Sequence, residues 1–265
     1  MFNMNNSEPF AKSKGVVIFA HNTAQTDYVK IANQNARLIK HFLKLPVTII
    51  TDTNARPNSR YDVDTGTFVP WLNRSRSQAY DLSPYDTTLV LDADYIILDD
   101  NLNKILDLVD FQIFKTNEFL DQTTQVQTMG KFSLPFVWAT ALIFKKSEFA
   151  KAVFDQVKII EQNYAYFCSL YNVKSTNYRN DYAFAMALNA LSGYTTDVRR
   201  FIPWKLMSFA TEITHLQKQG PNIVVRNTNR AFVVSEQSLH FISKRYLQTP
   251  EFESFVSEVI NAQTH

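Results

Sequence analysis

At 265 residues the chain is long for one domain and short for two, so one α/β domain with additions is expected, and its 45% hydrophobic residues suffice for a substantial core. With 27 basic against 25 acidic residues the net charge is +2, which excludes the global field that a nucleic-acid partner would require. A single cysteine, Cys168, excludes a disulfide framework or a cysteine-rich zinc site within the chain.

Residues 1–13 are polar and expected to be loose, with 14–265 forming the single domain. This opening segment has no apolar h-region, so no signal peptide is expected. No apolar run approaches the roughly 18 residues of a membrane span, so no transmembrane segment is expected either. A reducing, cytoplasmic setting fits the lone cysteine. GVVIFA at 15–20 reads as a buried parallel strand. Tyr28, Ile31, Ala32, Ala36, Leu38, Ile39, Phe42 and Leu43 then recur at helical spacing, with Thr23 or Thr26 as the cap. PVTIIT at 46–51 is the next strand and completes a βαβ unit. Residues 52–66 are rich in Asn, Asp, Arg and Pro and predict a loop; 67–71 predict a short strand stopped by Pro70.

Residues 77–82 predict a short helix, 83–86 a turn, and 89–98 a strand. A helix is expected at 101–109 and a strand at 111–116. Residues 117–134 have no clear period and read as a long loop of the kind that often forms a lid. A strand at 136–146 leads to a helix over 147–171, capped by Ser147. A second helix follows at 181–191, a late strand pair near 224–235, and a closing helix at 250–262. The alternation predicts an open, mostly parallel sheet with helices on both faces, whose ligands sit beyond the carboxyl ends of the strands.

The run LVLDADYIIL at 89–98 places two carboxylates at such an end. Residues two apart on an extended strand share a face, so Asp92 and Asp94 would aim at one spot, with Ala93 turned away. Two carboxylates there repel each other and are costly to bury unpaired. A hard divalent cation, Mg2+ or Mn2+, resolves that conflict and keeps positions open for phosphate oxygens. An ordinary strand-end turn with solvated carboxylates is the plainer alternative. The five glycines, at 15, 66, 130, 193 and 220, are scattered, so Rossmann and P-loop phosphate cradles are absent. Phosphates would have to be held by a metal and by basic side chains. Local clusters at Arg74 with Arg76, Arg199 with Arg200, and Lys244 with Arg245 suit a small anion such as pyrophosphate.

The stretch WLNRSRSQAYDLSPYDTTLVLDADYIILDDNL at 71–102 resembles the glycosyltransferase family 8 and glycogenin-like group. In that group a basic residue, a short helix, a Ser-Pro-Tyr-Asp-like turn, an Asp-x-Asp strand and an Asp-x-Leu exit follow in this order. With gaps, the resemblance extends over residues 15–247. It implies a GT-A (nucleotide-diphospho-sugar transferase) fold and a metal-dependent transferase. Such an enzyme moves sugar from a nucleotide diphosphate donor, UDP-linked, to an acceptor hydroxyl with retention. The acceptor, whether glycan, lipid-linked or protein, is left open. By the resemblance, Asp94 would bind Mn2+ or Mg2+, and Asp92 would share the metal and reach the ribose. His240 would be the third metal ligand, and Lys244 would lie near the diphosphate, although the family's intervening glycine is missing. Arg74 or Arg76 would contact the nucleotide sugar. Tyr28 would stack on the base, with Asn22 or Asp27 reading its edge. Asn180 and Asp181 would lie near the acceptor and the sugar's reacting carbon.

Each of these residues also has a plain structural reading. His240 would serve as a surface or packed histidine, Tyr28 as a core contact of the first helix, His21 equally as either, and Asp181 as an N-cap or first-turn acid. Trp138, Thr140 and Trp204 are candidates for sugar stacking or for the core. Here the group carries an Asn-x-Gly-like segment and this chain reads WATAL. Two other functions compete. A haloacid-dehalogenase-like phosphatase also ends a strand in Asp-x-Asp and uses the first Asp as nucleophile, but its motif normally lies at the first strand. A non-catalytic sugar-nucleotide-binding module would bind without turnover.

Overall fold

Continuous apolar runs build the centre of this fold, and the computed structural model describes residues 13–51, 58–62, 67–71, 73–123, 128–129, 134–174, 177–195, 197–235 and 237–262. Strand β1 (Lys14–Phe19), helix α1 (Tyr28–Phe42) and strand β2 (Val47–Ile50) form the expected βαβ unit, with β1 and β2 parallel. The cap of α1 differs from expectation. Asp27, not Thr23 or Thr26, accepts from the Lys30 amide at 2.9 Å, where a carboxylate also gains from the helix dipole. Thr23 closes the preceding turn instead, accepting from the Thr26 amide at 3.0 Å.

Residues 58–62 are strand rather than loop. β3 (Asn58–Asp62) pairs antiparallel with β4 (Thr67–Trp71), and that pairing overrides the weak strand propensity of its polar residues. A 3-10 turn at Arg74–Gln78 runs into α2 (Ala79–Leu82), extending the short helix expected at 77–82. β5 (Thr87–Leu91) is buried throughout and pairs in parallel with β1. A Cβ at Gly15 on β1 would lie 2.3 Å from the Tyr85 ring, so glycine there is what lets that ring close over the strand.

The chain then leaves the central sheet. β6 (Tyr95–Ile96) belongs to a second sheet, and residues 101–105 form only a 3-10 turn where a longer helix was expected. Asn101, Asn103 and Asp107 favour turns over helix interior. After β7 (Phe111–Phe114), the supposed loop contains β8 (Asn117–Phe119), β9 (Thr128–Met129) and β10 (Leu134–Pro135). Residues 124–127 and 130–133, which carry the lid reading, lie outside the described residues.

β11 (Trp138–Lys145) enters α3 (Glu148–Gln162), capped by Ser147 as expected. The single helix predicted through 171 is two. The Asn163 side chain bonds back to the Ile159 carbonyl at 3.0 Å and separates α3 from α4 (Tyr164–Leu170). α5 (Asn180–Leu191) and β12 (Leu206–Phe209) follow. The late strand pair is a three-stranded antiparallel sheet of β13 (Ile213–Gln219), β14 (Asn222–Asn227) and β15 (Ala231–Ser235). β16 (Leu239–Phe241) and α6 (Pro250–Ala262) close the chain.

The central sheet has the order β2-β1-β5-β11-β7. β11 is antiparallel to both neighbours, so the other strands share one direction and the sheet is open and mostly parallel, as expected. Helices flank it as two layers, α1 with α6 and α3 with α5. The second sheet, β6-β16-β12-β8, lies where β5 hands over to β6. Phe111, Phe144, Phe154 and Phe184 make the core aromatic, with the Phe144 and Phe154 rings 4.9 Å apart. Among the described residues no helix is long and apolar enough to cross a membrane.

Candidate active site

The two sheets meet at the Asp92–Asp94 turn. β5 ends at Leu91, and the Asp92 amide still donates to the Thr140 carbonyl of β11 at 2.8 Å. The backbone then bends, with the Tyr95 amide donating to the Asp92 carbonyl at 3.2 Å. The extended geometry expected from the sequence is therefore corrected: a turn, not strand alternation, brings the two carboxylates together. Asn35 of α1 holds that turn from below. It is fully buried, donates to the Tyr95 carbonyl at 2.7 Å and accepts from the Ile97 amide at 3.1 Å. The Asp94 carbonyl accepts from the Phe241 amide at 3.0 Å, which locks β16 beside it.

β16 delivers His240. Its Nε2 lies 3.8 Å from Asp94 Oδ2, and its Nδ1 lies 3.0 Å from Ser208 Oγ on β12. Ligand atoms of Asp92, Asp94 and His240 all fall within 4.8 Å of one another. Burial pushes the His240 imidazole below its ordinary value, against the pull of the Asp94 charge, and so favours the neutral ring that a metal ligand must be. Two carboxylates and a neutral imidazole form an oxygen-and-nitrogen set that could hold a divalent cation.

Each carboxylate also has a cation of its own. The Arg76 guanidinium pairs with Asp92 Oδ1 and donates to the Ala139 carbonyl. Lys244 Nζ lies 2.6 Å from Asp94 Oδ2. Burial raises the Asp92 carboxyl, and the neighbouring Asp94 charge adds to that, while Arg76 opposes it. Burial also raises Asp94, but the Lys244 ammonium and His240 outweigh it and hold this carboxyl below its ordinary value. Lys244 in turn is raised by Asp94 despite its burial. Arg76 is set in place from behind, because its neighbour Ser77 donates to buried Glu161 of α3 at 2.6 Å.

These groups line a cavity of about 490 Å3 at the carboxyl end of β5. Of the residues singled out in the sequence, Asp92, Asp94, His240, Lys244, Arg76, Tyr28, Asn180 and Asp181 line it, together with His21, Trp138 and Thr140. Asn22 is not part of the wall; its side-chain oxygen accepts from the Val29 amide at 2.9 Å, at the start of α1. Trp204 packs against the core. The Arg74 side chain lies outside the described residues.

At the start of α5, Asp181 Oδ1 accepts from the Ala139 amide at 2.8 Å and Oδ2 pairs with Arg179 at 2.9 Å. The Asn180 side-chain Nδ2 donates to the Asn73 backbone carbonyl, and Asn73 Nδ2 to the Tyr178 backbone carbonyl, each at 3.0 Å. Across the cavity His21 lies 2.9 Å from Ser75 Oγ and 3.2 Å from the Thr51 carbonyl. Sequence reasoning passed over Asn35, Asn73, Ser75, Arg179 and Ser208. The signal for Asn35 was a polar residue on the apolar face of α1; the others carried none.

No family model matches the chain, and no curated protein matches its sequence. Among solved structures the chain is similar to the glycosyltransferase GlyE of Streptococcus pneumoniae TIGR4, with a TM-score of 0.36 and 11% identity over 68% of this chain and 43% of that one. It thus spans less than half of that chain's length. It is also similar to the galactosyltransferase LgtC in complex with donor and acceptor sugar analogs, at TM-score 0.38 and 12% identity over 67% of this chain and 70% of that one. An active-site mutant of LgtC matches at TM-score 0.48 and 11% identity, over 94% of this chain and 95% of that one. These likenesses are distant, and the functional reading rests on the cavity itself.

Proposed function

We propose that the chain is a glycosyltransferase that takes a nucleotide diphosphate sugar, UDP-linked by the family resemblance, and transfers the sugar to an acceptor hydroxyl. The observation that carries this reading is the convergence of Asp92, Asp94 and His240 with Arg76 and Lys244 on one cavity at the carboxyl end of β5. Such a set suits a diphosphate on a divalent cation.

Asp92, Asp94 and the neutral His240 ring would hold Mn2+ or Mg2+. When bound, the cation supplies charge stabilisation to the departing diphosphate. Lys244 and Arg76 line the same wall and supply fixed positive charge to phosphate oxygens. Tyr28 also lines the cavity and offers a ring for the base. Asp181 is held by the Ala139 amide and by Arg179 at once. A carboxylate pinned on both oxygens suits a fixed negative charge beside a cationic, oxocarbenium-like sugar better than a base that must collect a proton. That favours retention, with Asn180 beside it. The phosphatase reading has less support, because its Asp-x-Asp motif normally follows the first strand of the fold, whereas Asp92 follows β5, with β1 and β2 of the same sheet before it.

The pairing of Asp92 with Arg76 and of Asp94 with Lys244 supports a second reading, in which the same transfer proceeds on basic side chains alone. Nucleoside diphosphate release from a panel of sugar nucleotides, with Mn2+ or with EDTA, separates the two. Release with one donor that is lost in EDTA and in Asp94→Asn supports the metal-dependent transferase. Release that survives EDTA supports the second reading. Hydrolysis of simple phosphate esters without donor turnover would sink both.

A further inference from the structure

The geometry points to Ser208 as the positioning residue that fixes which nitrogen of His240 faces the cation site, an inference that rests on the metal-dependent reading above. β12 and β16 run parallel with Ser208 in register with His240, so the two side chains stand on one face. Ser208 is fully buried, and its hydroxyl lies 3.0 Å from His240 Nδ1. The other ring nitrogen, Nε2, is the one turned toward Asp94. A neutral imidazole carries one proton. If Nε2 gives its lone pair to a cation, that proton must sit on Nδ1, inside the protein and out of reach of water. Ser208 Oγ is the acceptor placed to receive it. With a hydroxyl the partner can also reverse: in the cation-free protein the Ser208 proton can point at Nδ1 and leave the ring proton on Nε2. The ring thus changes tautomer without turning and without gaining or losing a proton. Alanine at 208 takes a donor from the Nδ1 lone pair in the cation-free protein and an acceptor from the Nδ1 proton in the ligating state, and only the second loss bears on the tautomer that frees Nε2 for a cation.

The test measures Mn2+ binding to the full chain by the electron paramagnetic resonance of free Mn2+. Outer partners of a ligating histidine typically set affinity by 10–100-fold, so Ser208→Ala should weaken Mn2+ by about that factor, and Ser208→Thr, which keeps the hydroxyl, by far less. In a His240→Ala background, Ser208→Ala should cost nothing further. Binding by Ser208→Ala equal to wild type, or an equal loss with and without His240, overturns the role of Ser208 and leaves the metal reading standing. No Mn2+ binding by the wild type overturns the metal reading and this inference with it. Should Ser208→Ala fail to fold, nitrogen-15 resonances of His240 in the Mg2+-loaded wild type decide the matter. A proton on Nδ1 is expected, and a bare Nδ1 refutes the assignment.

Discussion

Replacing Arg76 with alanine removes the cation that Asp92 has in the free protein. The guanidinium is buried, with 7% of its side chain exposed, and engages both Asp92 Oδ1 and the Ala139 carbonyl. A hydrogen bond to a charged group contributes about 1.5–3 kcal/mol, and breaking a fully buried pair costs about 3–5 kcal/mol. Asp92 keeps 32% of its side chain open to the cavity, so water can reach the abandoned carboxylate and the full burial penalty does not apply. The expected loss is about 2–3 kcal/mol in EDTA, read from urea unfolding at an unchanged slope. Mn2+ then supplies a test of the cause. At a concentration a hundred times its dissociation constant, a ligand that binds only the folded state adds about 2.7 kcal/mol. If Asp92 faces the cation site, saturating Mn2+ should restore Arg76→Ala to about the stability of the metal-free wild type. A loss below about 1 kcal/mol would refute the pairing argument. Stabilisation of the wild type by Mn2+ with none of the variant would refute the claim that guanidinium and cation serve the same carboxylate.

Two further outcomes follow from the turn and from the ring beside it. Asn35→Ala should cost about 2–6 kcal/mol in urea unfolding, because it leaves the Ile97 amide and the Tyr95 carbonyl buried without partners, at about 1–3 kcal/mol each; the same stability as wild type would show that the turn holds itself. His240 sits below its ordinary value of 6.5 because it is buried, so the folded state resists a proton that the unfolded chain takes up. Its contribution is full above 6.5 and is lost as the pH falls from there toward the folded value, so between about pH 7.5 and about pH 5.5 the metal-free wild type should lose more stability than His240→Gln. Equal losses in the two proteins would remove His240 from the account.

The sequence made some parts of this site legible and hid others for physical reasons. Asp92 and Asp94 stood out because two carboxylates inside an apolar run conflict with burial, and any such conflict needs a partner. The partner residues were harder. Arg76 and Lys244 lie 16 and 150 positions away from their carboxylates, and only topology joins them. The turn at Ala93–Asp94 was missed because an apolar run continues through 95–98, which looks like one strand and is in fact the crossing from the central sheet into the second. Asn35 carried a faint signal, an amide on the buried face of an amphipathic helix. Ser208 carried none, since a serine in LMSF is unremarkable until β16 is placed beside it. β13 escaped for a similar reason: ITHLQKQ has only two deeply buried residues, Ile213 and Leu216, and becomes a strand by pairing with β14.

The charge balance at the turn bears on how a donor would enter. Asp92 and Asp94 are offset by Arg76 and Lys244, and burial keeps His240 on the neutral side, so the protein's own charges there cancel. A divalent cation alone would leave the cavity wall with an excess of two positive charges and would compete with Lys244 for Asp94. The diphosphate of a nucleotide sugar alone would bring two negative charges toward two carboxylates. Together they cancel, and the diphosphate offers Lys244 and Arg76 new partners as the cation takes the old ones. Where the charged groups are partly withdrawn from water and an unbalanced charge carries a cost, this would make cation and donor mutually dependent ligands. The dependence must be reciprocal: whatever factor Mn2+ adds to donor affinity, the donor adds to Mn2+ affinity. The ion pairs that first look like an alternative to a metal are, on this reasoning, what holds the carboxylates in place until both ligands arrive.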